Sequence, residues 1–469
     1  MSRDRAIAWA GEYFDSGHFF DDLARRVAIP SESQNPACET PLTAYLDGEM
    51  APSLTALGYA CRRLENPRAA RMPFLLAERF EGADKPTVLT YGHGDVVRGM
   101  EGEWRSGLVP WRLTREGERW YGRGAADNKG QHSINIGGLA AVLAVRGSLG
   151  FNSKILIEMG EEMGSPGLHA VAAAHRDALR ADVLIGSDGP RLFTEKAMLF
   201  TGSRGCFNFD LRVELREGGH HSGNWGGLLS NPGVILTHAI ASLVGPTGRV
   251  LVPEILPKEI PATIRRVLAD CPVERLDGPA IDPGWGEPGL SPAEKVFAWN
   301  TFEVLAFTTG NPANPTNAIP PRAQATCQVR YVAGTDPREL LPSIRRHLDA
   351  RGFGMVSLHV RRDEYFQATR LDPENPWVRW AIGSMQETTG YRPTILPNIG
   401  GTLPNEVFAE ILGMPTLWVP HSYTACSQHA PDEHLLAPVA REGLRIMAGL
   451  FWDLGAQGIP TTSALPRTA

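Results

Sequence analysis

His93 and Asp95 in TVLTYGHGDVV, Asp127 in WYGRGAADNKGQ, Glu161 and Glu162 in KILIEMGEEMGSPG, and Asp188 in DVLIGSDGP each stand where an apolar run gives way to glycine and polar residues. His429, in SYTACSQHAPDEH, lies far downstream. In an open α/β sheet, ligands bind at the carboxyl ends of the buried strands. Pooling so many carboxylates and imidazoles at one edge serves one common chemistry, a divalent-metal site, and the donor count suits two ions. Singly, each signal is weak. An HxD pair is commonly structural, adjacent Glu-Glu is common at solvated helix ends, and GSDGP reads equally well as a turn with an Asx bond. Co-occurrence at four strand ends carries the reading.

The residue types suggest roles. His93 offers a neutral imidazole to one ion, and Asp95, two residues on along an extended segment, can accept the other ring N–H and fix the tautomer. Asp127 has two oxygens and can bridge two ions about 3.5 Å apart. Glu161 and Glu162 are adjacent and diverge on extended backbone, so one can hold an ion while the other faces a substrate. Oxygen and nitrogen donors without thiolate suit zinc, and also cobalt or manganese.

The elements that must position these residues alternate. Helical patterns (DDLARRVA, residues 41–57, HSINIGGLAAVLAVRG) are interleaved with short apolar strands (FLLAERF, TVLTYGH, KILIEMG, DVLIGS), as in βαβ units around a mostly parallel sheet. From about Lys196 the idiom changes. CFNFDLRVEL and ATCQVRYV alternate apolar and polar residues, SNPGVILTHAIASLVG and DPRELLPSIRRHLDARG read as helices, and VSLHVRRDEYF reads as a strand. The stretch from Val250 to Trp299 is rich in Pro and Gly and reads as an irregular insertion. After Asp372 the first idiom returns, with helices in NPWVRWAIGSMQETTG and LLAPVAREGLRIMAGLFWDLG and a strand in PTLWVP. The expected fold class is therefore α/β: a catalytic domain with a mostly parallel sheet flanked by helices, formed by residues 1–195 and 371–469. A smaller α+β lid or dimerisation domain, residues 196–370, is inserted in it, and the tail from Thr461 is expected to fray.

Composition narrows the class. At 469 residues the chain exceeds what one core usually serves, and its net charge of −6 comes without a basic patch, which argues against nucleic acid or an anionic membrane as partner. No apolar run reaches the ~18 to 20 residues of a membrane span, and the start, MSRDRAIAWAGEYF, shows no signal-peptide apolar region, so a cytoplasmic location is expected. Cys38, Cys61, Cys206, Cys271, Cys327 and Cys426 have no regular spacing, as expected of reduced thiols, and Cys426 reads as a bystander near His429. His132, His169, His175, His238, His347 and His359 sit inside helical or strand patterns and read as surface or core histidines. Trp104, Trp111 and Trp120 read as packing residues. RGAADNKG lacks the layout of a phosphate cradle.

The motifs YGHGDVV, YGRGAADNKGQ, EMGEEMGSPG, SDGP, HSGNWGG, AIPPRAQATCQVRYVAGTDP and GGTLPN, in this order over nearly the whole chain, resemble the di-metal amidohydrolases and peptidases that include carnosinase-type dipeptidases, glutamate carboxypeptidase, aminoacylase and succinyl-diaminopimelate desuccinylase. The dipeptidase branch is the nearest in flavour. The resemblance implies one ion held by His93, Asp127 and Asp188, and another by Asp127, Glu162 and His429, with zinc as the expected metal. It implies Glu161 as the general base that takes a proton from a metal-activated water and returns it to the leaving amine. It also implies a cis peptide between Asp127 and Asn128, and a homodimer in which His221 reaches the neighbouring subunit's site to polarise the scissile carbonyl. Arg330, with the backbone at Gly400, Gly401 and Thr402, would grip a substrate carboxylate, and Asn317 would contact the substrate or the oxyanion. His220, by contrast, has no implied role.

Three positions depart from the family pattern. Thr402 stands where Ser is frequent, and a narrower pocket is expected. Gly94 stands where bulkier residues are common, and open space beside the metals is expected. VRGMEGEW replaces a proline-bearing segment. The expected activity is metal-dependent hydrolysis of an amide or peptide bond in a dipeptide or N-acyl amino acid with a free carboxylate. The alternatives are a specialised amidohydrolase or deaminase of an unusual small molecule, or a catalytically silent metal-binding homologue. A base at Glu161 beside a complete ligand set speaks against the silent reading.

Overall fold

The computed structural model describes residues 2–271, 273, 279–360 and 366–460. The expected fraying tail from Thr461, the last residues of the VSLHVRRDEYF strand (361–365), and positions 272 and 274–278 of the irregular insertion lie outside the described residues. The chain divides into two compact units, one of Met1–Gly202, Leu371–Ile399 and Pro404–Ala469, the other of Ser203–Arg370 with Gly400–Leu403. The first junction thus falls after Lys196, because Met198–Phe200 still pairs within the large sheet. The short return at Gly400–Leu403 was not anticipated.

The first unit is built on an eight-stranded sheet. Its order is Ala60–Leu64, Phe74–Arg79, Asn152–Glu158, Thr87–His93, Val183–Gly186, Thr416–Trp418, Met198–Phe200 and Thr394–Leu396. The four central strands pair in parallel, in the register His93↔Glu158, Leu89↔Leu184 and Leu417↔Ile185. Continuous apolar runs such as Val88–Leu89 and Ile155–Ile157 are buried there, as strands covered on both faces require. Two outer strands, Ala60–Leu64 and Phe74–Arg79, join antiparallel. Helix Lys129–Arg146 packs on Ala437–Gln457 so closely that a Cβ at Gly138 would lie 2.6 Å from the Met447 side chain and 2.9 Å from its main chain. Helix Arg3–Asp15, which the sequence patterning did not single out, packs against both. The helical stretch anticipated over residues 41–57 is present but carries a π-helical segment, Tyr45–Met50, between two short α turns.

The second unit holds a four-stranded antiparallel sheet in the order Thr301–Thr309, Arg322–Tyr331, Gly205–Glu214, Ser357–Val360. Helices Pro232–Leu243 and Leu340–Ala350 contribute Leu236 and Ile344 to a core shared with Phe209, Leu211 and Val329. Asp336 caps the approach to the second helix by accepting from Arg338 N at 3.0 Å. Within the supposedly irregular insertion, short helices form at Ala262–Leu268 and Pro292–Phe297. Strand Thr301–Thr309, which followed it unnoticed, takes the sheet edge with Val304, Leu305 and Phe307 exposed. No helix among the described residues is long and apolar enough to cross a membrane.

Candidate metal centre

Three parallel strands end at the same sheet edge, and the chemistry follows from what comes after each. His93 closes Thr87–His93, Asp188 lies two residues past Val183–Gly186, and Glu161 and Glu162 lie on the turn that follows Asn152–Glu158. Asp127 immediately precedes Asn128, the N-cap of helix Lys129–Arg146, and the Asp127–Asn128 peptide is cis. His429 arrives from the loop between Ser422–Tyr423 and His434–Leu436, in a left-handed conformation (φ 61°).

The Asp127 carboxylate sits at the centre of the group. Its Oδ1 lies 3.1 Å from His93 Nε2 and its Oδ2 lies 2.9 Å from His429 Nε2. Glu162 Oε2 is 3.1 Å from the same His429 nitrogen, and Asp188 Oδ2 is 3.8 Å from His93 Nε2. One potential ligand atom each from His93, Asp127 and Asp188 falls within a 4.8 Å cluster, and the same holds for Asp127, Glu162 and His429. The two clusters share Asp127, with one of its oxygens toward each. Glu161 diverges from Glu162: its side chain is 18% exposed against 4%.

The donor set fits divalent cations. Glu162 Oε1 and Asp188 Oδ2 are buried without a hydrogen-bond partner, a costly arrangement unless something positive meets them. Burial first, and then the Asp127 carboxylate, pushes Glu162 up to about 7 and Asp188 up to about 6. Burial, opposed by His93 and reinforced by Asp188 and Glu162, holds Glu161 well above the usual carboxylate range. Hydrogen bonds to Asp127 and Glu162 raise the His429 ring to about 11. Glu161, Glu162 and Asp188 thus hold protons more readily, while Asp127, held low against its burial by His429 and His93, favours the charged form of those two rings. Cations bound to the same atoms would release those protons, because histidine ligates in its neutral form.

Asp95 is fully buried, and its position differs in detail from the expectation. The nearest acceptor to His93 Nδ1 is the Asp95 main-chain carbonyl at 3.0 Å, with Oδ1 at 3.4 Å. The carboxylate oxygens each accept a backbone N–H, from Glu161 and from Glu162, at 3.1 Å. Asp95 therefore holds the glutamate turn as well as facing the histidine. The space expected beside Gly94 is filled: a Cβ there would lie 2.3 Å from the Tyr45 ring. That ring belongs to the π-helical segment and hydrogen-bonds His132 Nε2 at 2.6 Å, while His132 Nδ1 meets Asn128 Oδ1 at 3.1 Å. His132 is thus a partnered core histidine that steadies the residue after Asp127.

The loop reading VRGMEGEW is pinned by Glu32, whose Oε1 accepts Gly99 N at 2.6 Å. Trp104 donates to Gly99 O, and Trp120 stacks on Phe14, so both pack rather than line the site. Gln428 was overlooked in the sequence. Its amide donates to Asp127 Oδ2 at 2.5 Å, and only its place beside His429 hinted at this. All six cysteines are free thiols, and Cys426 is buried.

In the second unit the remaining candidates form two groups. Arg330 donates from Nη1 to Thr402 Oγ1 at 2.9 Å, and Thr402 Oγ1 donates to Arg204 O at 2.9 Å. Arg204 N in turn donates to Gly401 O at 3.1 Å, so Gly401, Thr402 and Arg330 are tied together, with Gly400 beside them. Arg204 is a second, unanticipated guanidinium there. Burial and then the Arg330 charge depress it to about 10.

His221 and Asn317 form the other group. His220–His221 pairs with Ala318–Ile319, and Ser222 N donates to Asn317 O at 2.8 Å. His221 is exposed, and its Nδ1 accepts Gly223 N at 3.1 Å, so the neutral ring carries its proton on Nε2, free to donate outward.

The sequence pattern that defines Peptidase family M20/M25/M40 matches residues 89–453. The chain is 35% identical over 415 residues to the Beta-Ala-His dipeptidase of Mus musculus, covering 82% of this chain and 80% of that protein. It is 28% identical over 325 residues to the Cysteinylglycine-S-conjugate dipeptidase of Corynebacterium striatum, covering 68% and 70%. The fold is like that of human carnosine dipeptidase 1, with a TM-score of 0.76 at 23% identity over 96% of this chain and 99% of the other.

Proposed function

The chain belongs to Peptidase family M20/M25/M40, and from that membership we propose that it hydrolyses the peptide bond of a dipeptide with a free carboxylate. The observation that carries the reading is Asp127, one oxygen beside His93 and the other beside His429, at the centre of two donor clusters. Divalent cations held there by His93, Asp127 and Asp188, and by Asp127, Glu162 and His429, would supply a Lewis acid for the scissile carbonyl and acidify a water. Zinc suits the donors, and cobalt or manganese would serve.

Every other part of the reaction falls to this chain's own residues. Glu161, the less buried of the adjacent pair, takes the proton from the attacking water and delivers it to the leaving amine, serving both halves of amide hydrolysis. Asp95 keeps that base in place through the two backbone N–H groups it accepts. The His221 Nε2–H is a donor for the oxyanion, and Asn317, next to it, a further polar contact. Arg330, with the Gly400–Thr402 backbone beside it, meets the substrate carboxylate. The dipeptidase names of the relatives favour a dipeptide over an N-acyl amino acid, and free cysteines throughout favour a reducing, cytoplasmic setting.

The working form we propose is a homodimer. Arg330 lies near one end of strand Arg322–Tyr331, and the His221 pairing at Ala318–Ile319 lies beyond the other. The strand that separates them spans roughly 25 Å at ~3.3 Å per residue, against ~7 Å for an extended dipeptide. That separation supports a second copy as the source of His221, the role the resemblance implies for it.

Hydrolysis of a dipeptide panel should vanish on treatment with a chelator and return on addition of zinc, cobalt or manganese, while matched N-acyl amino acids react more slowly. Undiminished hydrolysis after proven metal removal would overturn the mechanism, and preference for an acyl substrate or a deamination product would overturn the substrate class. Arg330→Ala should weaken activity on carboxylate-bearing substrates by roughly 2 to 4 kcal/mol. Amidating the substrate should cost the wild type a similar amount and the variant little more. Strictly additive losses would show that Arg330 and the carboxylate do not meet.

A further inference from the structure

Glu433 is an acidic side chain with an ordinary sequence context, four residues past His429, and its carboxylate is only 1% exposed. Its Oε1 accepts three backbone N–H groups from one loop: Gly124 at 3.1 Å, Ala126 at 3.0 Å and Asp127 at 3.0 Å. Its Oε2 accepts Arg123 Nη1 at 2.7 Å, and Arg123 Nε donates to Arg98 O at 3.1 Å. Strand pairing brings this residue there. His434–Leu436 runs antiparallel to Arg119–Tyr121 with His434 opposite Tyr121, so the preceding Glu433 lands beside Gly122, whose N–H donates to Glu433 O at 2.9 Å. Residues 123–127 then wrap the carboxylate.

On its other side Glu433 is continuous with the loop that carries His429. His434 N donates to Cys426 O at 3.0 Å and closes that loop, which contains Ser427, His429 and Asp432 in left-handed conformations (φ 57°, 61° and 61°). Non-glycine residues hold such conformations only where the surroundings fix them. Glu433 therefore grips the main chain of Asp127 with its side chain and anchors the His429 loop with its own main chain. Those two residues lie 302 positions apart in the sequence.

We propose that Glu433 is a positioning residue for the metal centre, setting Asp127 and His429 at the separation a cation between them requires. The proposal rests on the reading of those two side chains as ligands. Burying a carboxylate on three N–H groups and a guanidinium would hold a loop in any protein. What singles this one out is that the loop ends at the side chain shared by both donor clusters.

The test is calorimetric titration of zinc, with manganese in parallel, into metal-free protein for the wild type, Glu433→Gln, Glu433→Ala and the double variant Arg123→Gln/Glu433→Gln. Thermal melts of the metal-free proteins accompany it. Glu433→Gln keeps an acceptor for the loop but turns an N–H2 toward Arg123. We expect its affinity for one of two zinc ions to fall about 10- to 100-fold, kcat to fall, and KM to change less than about twofold. Replacing Arg123 as well removes the clash, so the double variant should recover part of the lost affinity.

An ion pair that merely holds the fold would give the opposite result: both ions bound with wild-type affinity by folded variants, and no recovery in the double variant. That result overturns the proposal even if Glu433→Ala does not fold. A wild-type protein that takes up no ion would instead overturn the metal reading itself, and this proposal with it.

Discussion

Glu161→Gln is expected to bind two divalent ions like the wild type and to lose turnover by roughly 10³- to 10⁴-fold, because a carboxamide cannot accept the proton of an attacking water. The geometry makes the substitution clean. Glu161 is the member of the adjacent pair whose side chain is more exposed, and it belongs to neither donor cluster. Its backbone N–H is held by Asp95 whichever side chain follows. Glu162→Gln is the matched control: Glu162 Oε2 lies 3.1 Å from His429 Nε2 within a donor cluster, so that variant should lose an ion as well as rate. Metal content and single-turnover rates of the two variants separate the roles. Near-normal turnover by metal-replete Glu161→Gln would refute the assignment, and so would loss of an ion from it.

His93, Glu162 and Asp188 were legible because each follows an apolar strand, and a sheet that buries Val88–Leu89 and Ile155–Ile157 on both faces must put the next polar residues at its edge. Asp127, by contrast, precedes a helix instead of ending a fourth strand of that sheet, and His429 lies in a distant loop. The family resemblance then ordered residues that spacing alone could only gather. What stayed hidden acts across the sequence. Glu433 and Gln428 touch Asp127 from some 300 residues away, and nothing local marks a carboxylate that will face three N–H groups. The closeness of Tyr45 to Gly94 is likewise a tertiary fact: a missing side chain reads as space until a π-helical segment puts a ring there.

Strand Thr301–Thr309 escaped for a different reason. It has a register shift between Val304 and Ala306, and beyond the buried Phe302 the apolar Val304, Leu305 and Phe307 are all exposed, so the alternation that marks a half-buried strand is lost. That irregularity bears on assembly. Val304, Leu305 and Phe307 are 43%, 54% and 42% exposed on an edge strand, and Val234 on the helix packed against it is 55% exposed; Trp225 and Leu228 elsewhere in the same unit add 45% and 76%. An unprotected apolar edge invites pairing, and a two-fold dimer in which each copy covers the other's edge is the commonest closed solution.

If His221 acts on the partner's substrate, His221→Ala and Glu161→Gln should each be nearly inactive alone and should complement when mixed. Loss of one oxyanion donor costs about 10²- to 10³-fold. In a mixed dimer, the site with an intact Glu161 receives an intact His221 from the other copy, while its counterpart lacks both. Random exchange makes half of the dimers mixed with one working site each, so activity should return to about a quarter of the wild-type value. A histidine serving its own subunit predicts no return, because every site then lacks one of the two groups whatever its neighbour. The exposed place of His221 on its short strand, with the length of strand that separates it from Arg330, makes the first outcome the expected one. Subunit exchange must be shown independently, for instance with differently tagged protomers. Proven exchange without recovery, or full activity from a monomer, would overturn the assignment of His221 to the partner's substrate, leaving a histidine that serves its own subunit or one that only caps the short helix Ser222–Trp225.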